Sequence, residues 1–294
     1  MQLKSLEIFL TVVELGSFSL AANKLFTVQS NITSHIKKLE SELNTELLTR
    51  KTPVRTTRAG EQLLTYARKI LSLHDEVKSI FIEEKPYLSH PIQIGSMETT
   101  AAVHLPQILN RFSASFPALS FSLQTAPSRT LIEAVQNAQL DCAFIASPEP
   151  VHGLYNLHLF TEQLVVVTSK NTIQPLTAAT LQQQKFLAFR QGCSYRRVID
   201  LFLQSRQLAV CHIIEMGSLD GIMSCVSMNM GMAILPRSYV EQSHFRNAVD
   251  VLEIHEPFAT MNTYLIADQP ACWSSNLRHL VKQLTASKDE LVQI

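Results

Sequence analysis

Apolar residues recur at three- and four-residue intervals through about the first eighty positions, then shorten to strand-length runs after Pro91. Leu6, Phe9, Leu10 and Val13 share one face of a helix predicted over about Leu3 to Glu14, and Gly16 ends it. Ser19 is placed to cap a second short helix whose Ala21 and Ala22 allow close approach of a neighbour. A third helix is expected over about Gln29 to Leu43. Its Ile32, Ile36, Leu39 and Leu43 fall in one stripe when each residue advances ~100°. The opposite side carries Ser30, Ser34, Lys37 and Ser41, flanked by Thr33 and Lys38. Thr49 to Arg58 alternates basic and polar residues around Pro53 and suits a short hairpin, after which Thr57 can cap a long helix reaching about Lys85. In that helix Leu63, Ala67, Ile70, His74, Val77 and Phe81 form a heptad-like seam, and Pro86 stops it. The seam suits either self-association or packing on the chain's own domain. His74 within it reads as a hydrogen-bonded core histidine before a pH sensor.

Beyond Pro91 the periods alternate. Strands are expected at 92–95, 119–125 and 141–147, with helices over METTAAVHLPQILNRFSASF and RTLIEAVQNA between them. This βαβαβ order implies a parallel sheet with right-handed crossovers. LVVVTS (164–169) begins a second unit, continued by KFLAFRQG, YRRVIDLFLQSRQ, HIIEMGS, LDGIMSCVSMNM and GMAILP. TYLIAD (263–268) and a helix from Ser274 to Thr285 return to the first. The expected organisation is a helical domain over 1–60, a linker helix over 61–88 and a two-lobed α/β domain over 91–294. Lobe I is placed at about 91–161 and 267–294, lobe II at about 162–266.

The 294 residues carry no net charge, yet residues 24–58 hold seven Lys/Arg (Lys24, Lys37, Lys38, Arg50, Lys51, Arg55, Arg58) against three Glu. That local excess suits a phosphate-facing surface, although charge alone also fits a solvated helix face. Small hydroxyls and amides let a helix sit deep in a major groove. Gln29, Ser30, Asn31, Thr33 and Ser34 can meet base edges, while Lys37, Lys38, Arg50, Lys51, Arg55 and Arg58 can reach phosphates. No run of 18 apolar residues occurs, and the N-terminus, interrupted by Glu7 and Glu14, reads as an amphipathic helix. A cytoplasmic protein without membrane contact is expected. Five widely spaced cysteines and scattered histidines predict neither a disulfide framework nor a metal site, and no cofactor is expected.

The order AANKL, VQSNITSHIKKLE, LLTR and TPVRTTRAG resembles the N-terminal domain of LysR-type transcriptional regulators. Ala21, Ala22, Leu25, Gln29, Thr33, Ile36, Leu39, Glu40, Leu47, Arg50, Thr57 and Gly60 match that family's pattern position by position. Asn44, Leu48 and Ser30 depart from its usual Gly, Phe and Pro. Asn44 still tolerates the left-handed conformation that ends a helix, whereas Ser30 puts the base code in doubt. The resemblance implies a winged helix-turn-helix reading double-stranded promoter DNA as a homo-oligomer. It further implies a dimer through the linker helix, a tetramer beyond it, contact with RNA polymerase, and a small-molecule effector between two lobes similar to periplasmic binding proteins.

Ligands of open α/β sheets bind at the carboxyl ends of strands. That singles out Ser96, Met97, Glu98, Thr99 and Thr100 after the first strand, and Thr125 after the second. It also points to Phe189, Arg190, Cys193, Ser194 and Arg196 at one strand-to-helix turn, and to Ser218 at another. Each hydroxyl could equally be an ordinary helix cap. Cys193, near a helix N-terminus with Arg196 and Arg197 close by, has a setting that lowers a thiol pKa. A redox-sensing alternative with Cys211 or Cys225 as partner stands beside the effector reading. No nucleophile elbow, phosphate-binding loop, dinucleotide fingerprint or paired carboxylate suggests an enzyme.

Overall fold

The computed structural model describes residues 1–49, 53–81, 91–117, 119–170, 181–208 and 212–286. The chain divides into two compact units, Met1–His90 with Asn137–Gln139, and Pro91–Gln136 with Leu140–Ile294.

The first unit is helical: α1 (Leu3–Leu15), α2 (Phe18–Lys24), α3 (Gln29–Leu43) and α4 (Arg58–Phe81). Its core gathers Leu6, Ile8, Phe9 and Val12 of α1, Ala21 and Ala22 of α2, Ile32, Ile36 and Leu39 of α3, then Leu47, Leu48 and Ala67. Each large side chain removed from water there contributes roughly 1.5–3 kcal/mol. On α1 the buried face is turned from the expected one: Ile8 and Val12 are buried and Leu10 and Val13 only partly so. The cap of α2 also differs. Ser17 accepts from Leu20 N–H, whereas Ser19 lies inside the first turn. Left-handed residues end α1 at Gly16 (φ 61°) and α3 at Asn44 (φ 49°).

Leu48 and Thr56 form an antiparallel bridge, and Thr49 N–H reaches Arg55 C=O at 2.7 Å, closing the base of the expected hairpin. Glu40, buried on α3, accepts from Leu47 N–H at 3.0 Å and so fixes where that hairpin leaves the helices. Thr57 caps α4 by accepting from Gly60 N–H. Seam positions Leu63, Ala67 and Ile70 pack on the unit's own core, with Leu64 and Leu71. Tyr66, Leu73 and Val77 are exposed.

The second unit contains β1 (Ile92–Ser96), α5 (Glu98–Val103), α6 (Leu105–Ser115), β2 (Phe121–Thr125), α7 (Ser128–Gln136), β3 (Cys142–Ser147) and β4 (Tyr155–Ser169). Then come β5 (Lys185–Ala188), α8 (Ser194–Ser205), β6 (His212–Glu215), α9 (Leu219–Ser227), β7 (Ala233–Pro236), α10 (Arg237–Gln242), β8 (Val249–Glu253), β9 (Thr260–Ala267) and α11 (Ser275–Ala286). The single helix expected after β1 is broken at His104, because Pro106 cannot donate inside a helix and instead sits in the first turn of α6.

β1 pairs in parallel with β2 and β3, but β9 runs antiparallel to both β3 and β4. The sheet of the first lobe is therefore mixed and not purely parallel. β4, at ~3.3 Å per residue, is long enough to serve both lobes. Tyr155–Gln163 pairs with β9, and Leu164–Ser169 pairs with β7 and β8. β5 and β6 pair in parallel and join β7 through the Phe186–Met232 bridge. β9 pairs with β3 from Asn262 to Ala267, so the return to lobe I takes in the expected TYLIAD strand and starts before 267. The lobe II core holds Phe186, Val198, Ile199 and Phe202, with Leu164 and Val166 of β4.

Candidate functional site: a DNA-reading face and an inter-lobe cavity

On α3, Gln29, Ser30, Thr33, Ser34 and Lys37 line one shallow concave surface, the polar side opposite the buried Ile32–Ile36–Leu39 stripe. Internal hydrogen bonds decide what this surface can offer. Gln29 Oε1 accepts from Ser19 Oγ at 2.9 Å, which leaves the amide NH₂ to donate outward. Thr33 Oγ1 donates to Gln29 C=O, and Asn31 Nδ2 donates to Thr27 Oγ1. Lys38, Arg55 and Arg58 are exposed. Lys24 is held 2.8 Å from Glu14, so its charge is locally balanced. Arg50 and Lys51 lie outside the described residues.

The second unit holds a cavity of about 310 Å³. Lobe I supplies Met97, Glu98 and Thr99 from the β1–α5 turn and Thr125, Ala126, Pro127 and Ser128 from the β2–α7 turn. Lobe II supplies Phe189, Arg190, Cys193 and Tyr195, with Met216 and Gly217 after β6. Apolar walls with few polar groups are the usual make-up of a small-molecule site. Glu98 spans the two lobes: its Oε1 accepts from Leu219 N–H at the start of α9, at 2.9 Å. Arg190 is exposed and, among the described residues, has no ion pair.

Behind the cavity lies a buried polar cluster. Thr99 Oγ1 donates to Tyr195 Oη, and Tyr195 Oη donates to Glu162 Oε2, each at 3.2 Å. Glu162 Oε1 sits 2.9 Å from His104 Nε2 and accepts from Ser238 Oγ. Burial, reinforced by the Glu162 carboxylate, pushes the Tyr195 phenol well above its ordinary pKa, so it stays a donor. The cluster ties α5, β4, α8 and α10 together at the point where β4 passes from one lobe to the other.

Seven of the twelve residues expected at an effector site line the cavity: Met97, Glu98, Thr99, Thr125, Phe189, Arg190 and Cys193. The other five do not. Ser96 is buried and donates to Met97 C=O. Thr100 is buried, with no hydrogen-bond partner for its hydroxyl among the described residues. Ser194 donates to Ala146 C=O, and Ser218 caps α9. Arg196 is held by Asp200 and Glu215. Ala126, Pro127, Ser128 and Met216 also line the cavity and were not expected, whereas Tyr195 and Gly217 fall within the two strand-to-helix turns expected at the site. The strand-end rule could have found all four, since they follow β2 and β6.

The redox expectation is corrected. Cys193 does precede α8 and receives backbone N–H bonds from Tyr195 and Arg196, but burial outweighs them. With the Glu98 charge adding to burial, the thiol pKa is raised and not lowered. Cys142, Cys193, Cys225 and Cys272 are free thiols, and Cys211 lies outside the described residues. Among the described residues no single helix is long and apolar enough to cross a membrane.

A helix-turn-helix followed by a hairpin and a two-lobed α/β unit with an inter-lobe cavity defines a ligand-responsive DNA-binding regulator. Residues 3–61 match the bacterial regulatory helix-turn-helix protein, lysR family, and residues 87–288 match the LysR substrate binding domain. The HTH-type transcriptional regulator GltR of Bacillus subtilis is 35% identical over 267 residues, 90% of each chain. In fold, the chain is similar to full-length CbnR complexed with its target DNA (TM-score 0.66, 20% identity, 98% of this chain and 100% of that one). It is likewise similar to full-length LysG from Corynebacterium glutamicum with bound effector Arg (TM-score 0.70, 19% identity, 99% of each). The chain belongs to the LysR family: it is a LysR-type DNA-binding transcriptional regulator with an effector-binding domain.

Proposed function

We propose that the chain binds double-stranded promoter DNA as a homo-oligomer through Gln29, Ser30, Asn31, Thr33, Ser34, Lys37, Lys38, Arg50, Lys51, Arg55 and Arg58, and that a small-molecule effector occupies the inter-lobe cavity. The observation that carries the effector reading is the cavity's composition: both lobes wall it, with Glu98 and Arg190 the charged groups among its lining residues. A ligand contacting both lobes can favour one lobe arrangement only through its differential affinity for it. The exposed Tyr66, Leu73 and Val77 on α4 offer a self-association surface, and a helix-turn-helix dimer reads paired half-sites. Tetramer assembly and contact with RNA polymerase complete the reading. The protein acts by binding and not as an enzyme, in line with a family of regulators.

Two arms test it. Lys37→Ala should weaken promoter binding and lower the slope of log K against log salt by about 1; unchanged binding refutes the reading face. A Cβ at Gly217 meets nothing within 4 Å, so Gly217→Trp can fold while filling the cavity. It should abolish the thermal shift and promoter response given by whichever metabolite stabilises the wild-type chain. A retained response refutes the cavity.

A further inference from the structure

Two local rules are broken within three residues where α2 turns into α3. α2 stops in a Schellman turn: Thr27 N–H donates to Ala22 C=O at 3.0 Å and Phe26 N–H donates to Asn23 C=O at 3.2 Å. That turn puts residue 26 in the left-handed region, at φ 51°. Gly16 and Asn44 do the same duty after α1 and α3, and both residue types tolerate it. Phe26 does not, and it is the one aromatic residue at positive φ among the described residues. Its ring gains nothing from the fold in return, being 98% exposed. Two residues on, Val28 occupies the N-cap of α3, where a side-chain oxygen is favoured; it makes no capping bond and is 66% exposed. Thr27, which has such an oxygen, accepts instead from Asn31.

Departures from local preference that bring no packing gain concentrate at functional positions. Here they directly precede Gln29 and Ser30, the first residues of the polar face, so the apolar pair extends that face. In a major groove the apolar feature available is the thymine C5-methyl group. We propose that Phe26 and Val28 form an apolar extension of the reading face that packs against thymine methyl groups of the operator. The proposal rests on the α3 face being the reading face.

The test uses the full chain and a promoter fragment mapped by footprinting. Phe26→Asn supplies a side chain suited to the left-handed turn, so thermal stability should hold or rise. Promoter affinity should fall about tenfold, with the salt slope unchanged because no phosphate contact is lost. Replacing thymidine by deoxyuridine across the protected region should weaken the wild-type chain, and this deficit should shrink in Phe26→Asn. Unchanged affinity overturns the proposal. So does an affinity loss accompanied by lower stability or an altered oligomeric state, which would assign the ring to folding or to a protein contact. An equal deoxyuridine deficit in both proteins overturns it as well. Failure of the reading face itself is distinguishable, because Lys37→Ala would then leave binding unchanged whatever Phe26→Asn does.

Discussion

Glu162 offers the sharpest energetic test of the inter-lobe architecture. It is buried on β4, and its two oxygens serve Tyr195, Ser238 and His104. Glu162→Ala removes the acceptor of all three at once. Tyr195 is itself fully enclosed, and a buried donor left without a partner costs about 1–3 kcal/mol. Partial rescue by water entering the vacated space keeps the sum near about 4 kcal/mol, the range for breaking a buried polar pair. Glu162→Gln retains one acceptor oxygen but replaces the other with a donor, so the Tyr195 hydroxyl keeps its bond with Thr99 and loses only the acceptor of its proton, and the cost falls to roughly 1–2 kcal/mol. Trp273 makes the measurement selective. It is the chain's one tryptophan, it is buried in the second unit, and its ring meets Tyr155 edge-on. Its fluorescence during urea unfolding reports that unit alone. With an m-value near 3 kcal/mol/M, 4 kcal/mol moves the midpoint by more than about 1 M. A Glu162→Ala shift worth under about 1 kcal/mol with m unchanged would refute the claim that this cluster holds the lobes.

Two further outcomes follow from close contacts and burial. At Gly60 an added Cβ would lie 2.0 Å from Leu47 C=O, where 3.4–4 Å is ordinary contact. Gly60→Ala should therefore lower the melting temperature and promoter affinity together, despite the ~1 kcal/mol that alanine gains over glycine in a helix; a raised melting temperature would show the hairpin yields freely. Cys193, with its pKa raised by burial, carries less thiolate than a free cysteine at any pH below that raised value. Iodoacetamide should accordingly label it slowly at neutral pH, with a rate still climbing through pH 9; rapid labelling at pH 7 would reverse the assignment.

The helical unit was largely legible because its signals are local. Ile32, Ile36 and Leu39 repeat at helical spacing, and Asn44 and Thr57 each determine their own turn's geometry. What escaped was decided by tertiary contact. On α1, Ile8 and Val12 join a core that α1 shares with α2, α3 and α4, so its buried face is wider than one helical stripe. Tyr155–Phe160 was missed as the first half of β4 although Tyr155, Leu157 and Leu159 alternate with Asn156 and His158 at strand spacing; a register shift between His158 and Phe160 breaks that alternation before the LVVV run. The helix α10 and the strand β8, six and five residues long, are too short to display a period of their own.

For the site, the deciding quantity was bonding capacity, which a linear sequence does not display. Arg190 and Arg196 sit six residues apart in one basic segment and read alike. In the fold, Glu215 arrives from β6 and Asp200 from the next turn of α8, so Arg196 is neutralised, whereas Arg190 at the cavity has no ion pair among the described residues. Ser194 was a reasonable ligand donor until Ala146 C=O took its hydroxyl proton, while Ser218 accepts from Gly221 N–H as a helix cap and is not among the residues lining the cavity. Thr33 returns its hydroxyl proton to Gln29 C=O, and Ser19 occupies the Gln29 carbonyl. What remains at the front of α3 is a fixed amide donor, two serine hydroxyls and, just before them, two apolar side chains that no internal contact explains. On the proposed reading, base discrimination falls to the Gln29 amide donor, the Ser30 and Ser34 hydroxyls and apolar contact, because the Thr33 hydroxyl proton is already committed to the helix.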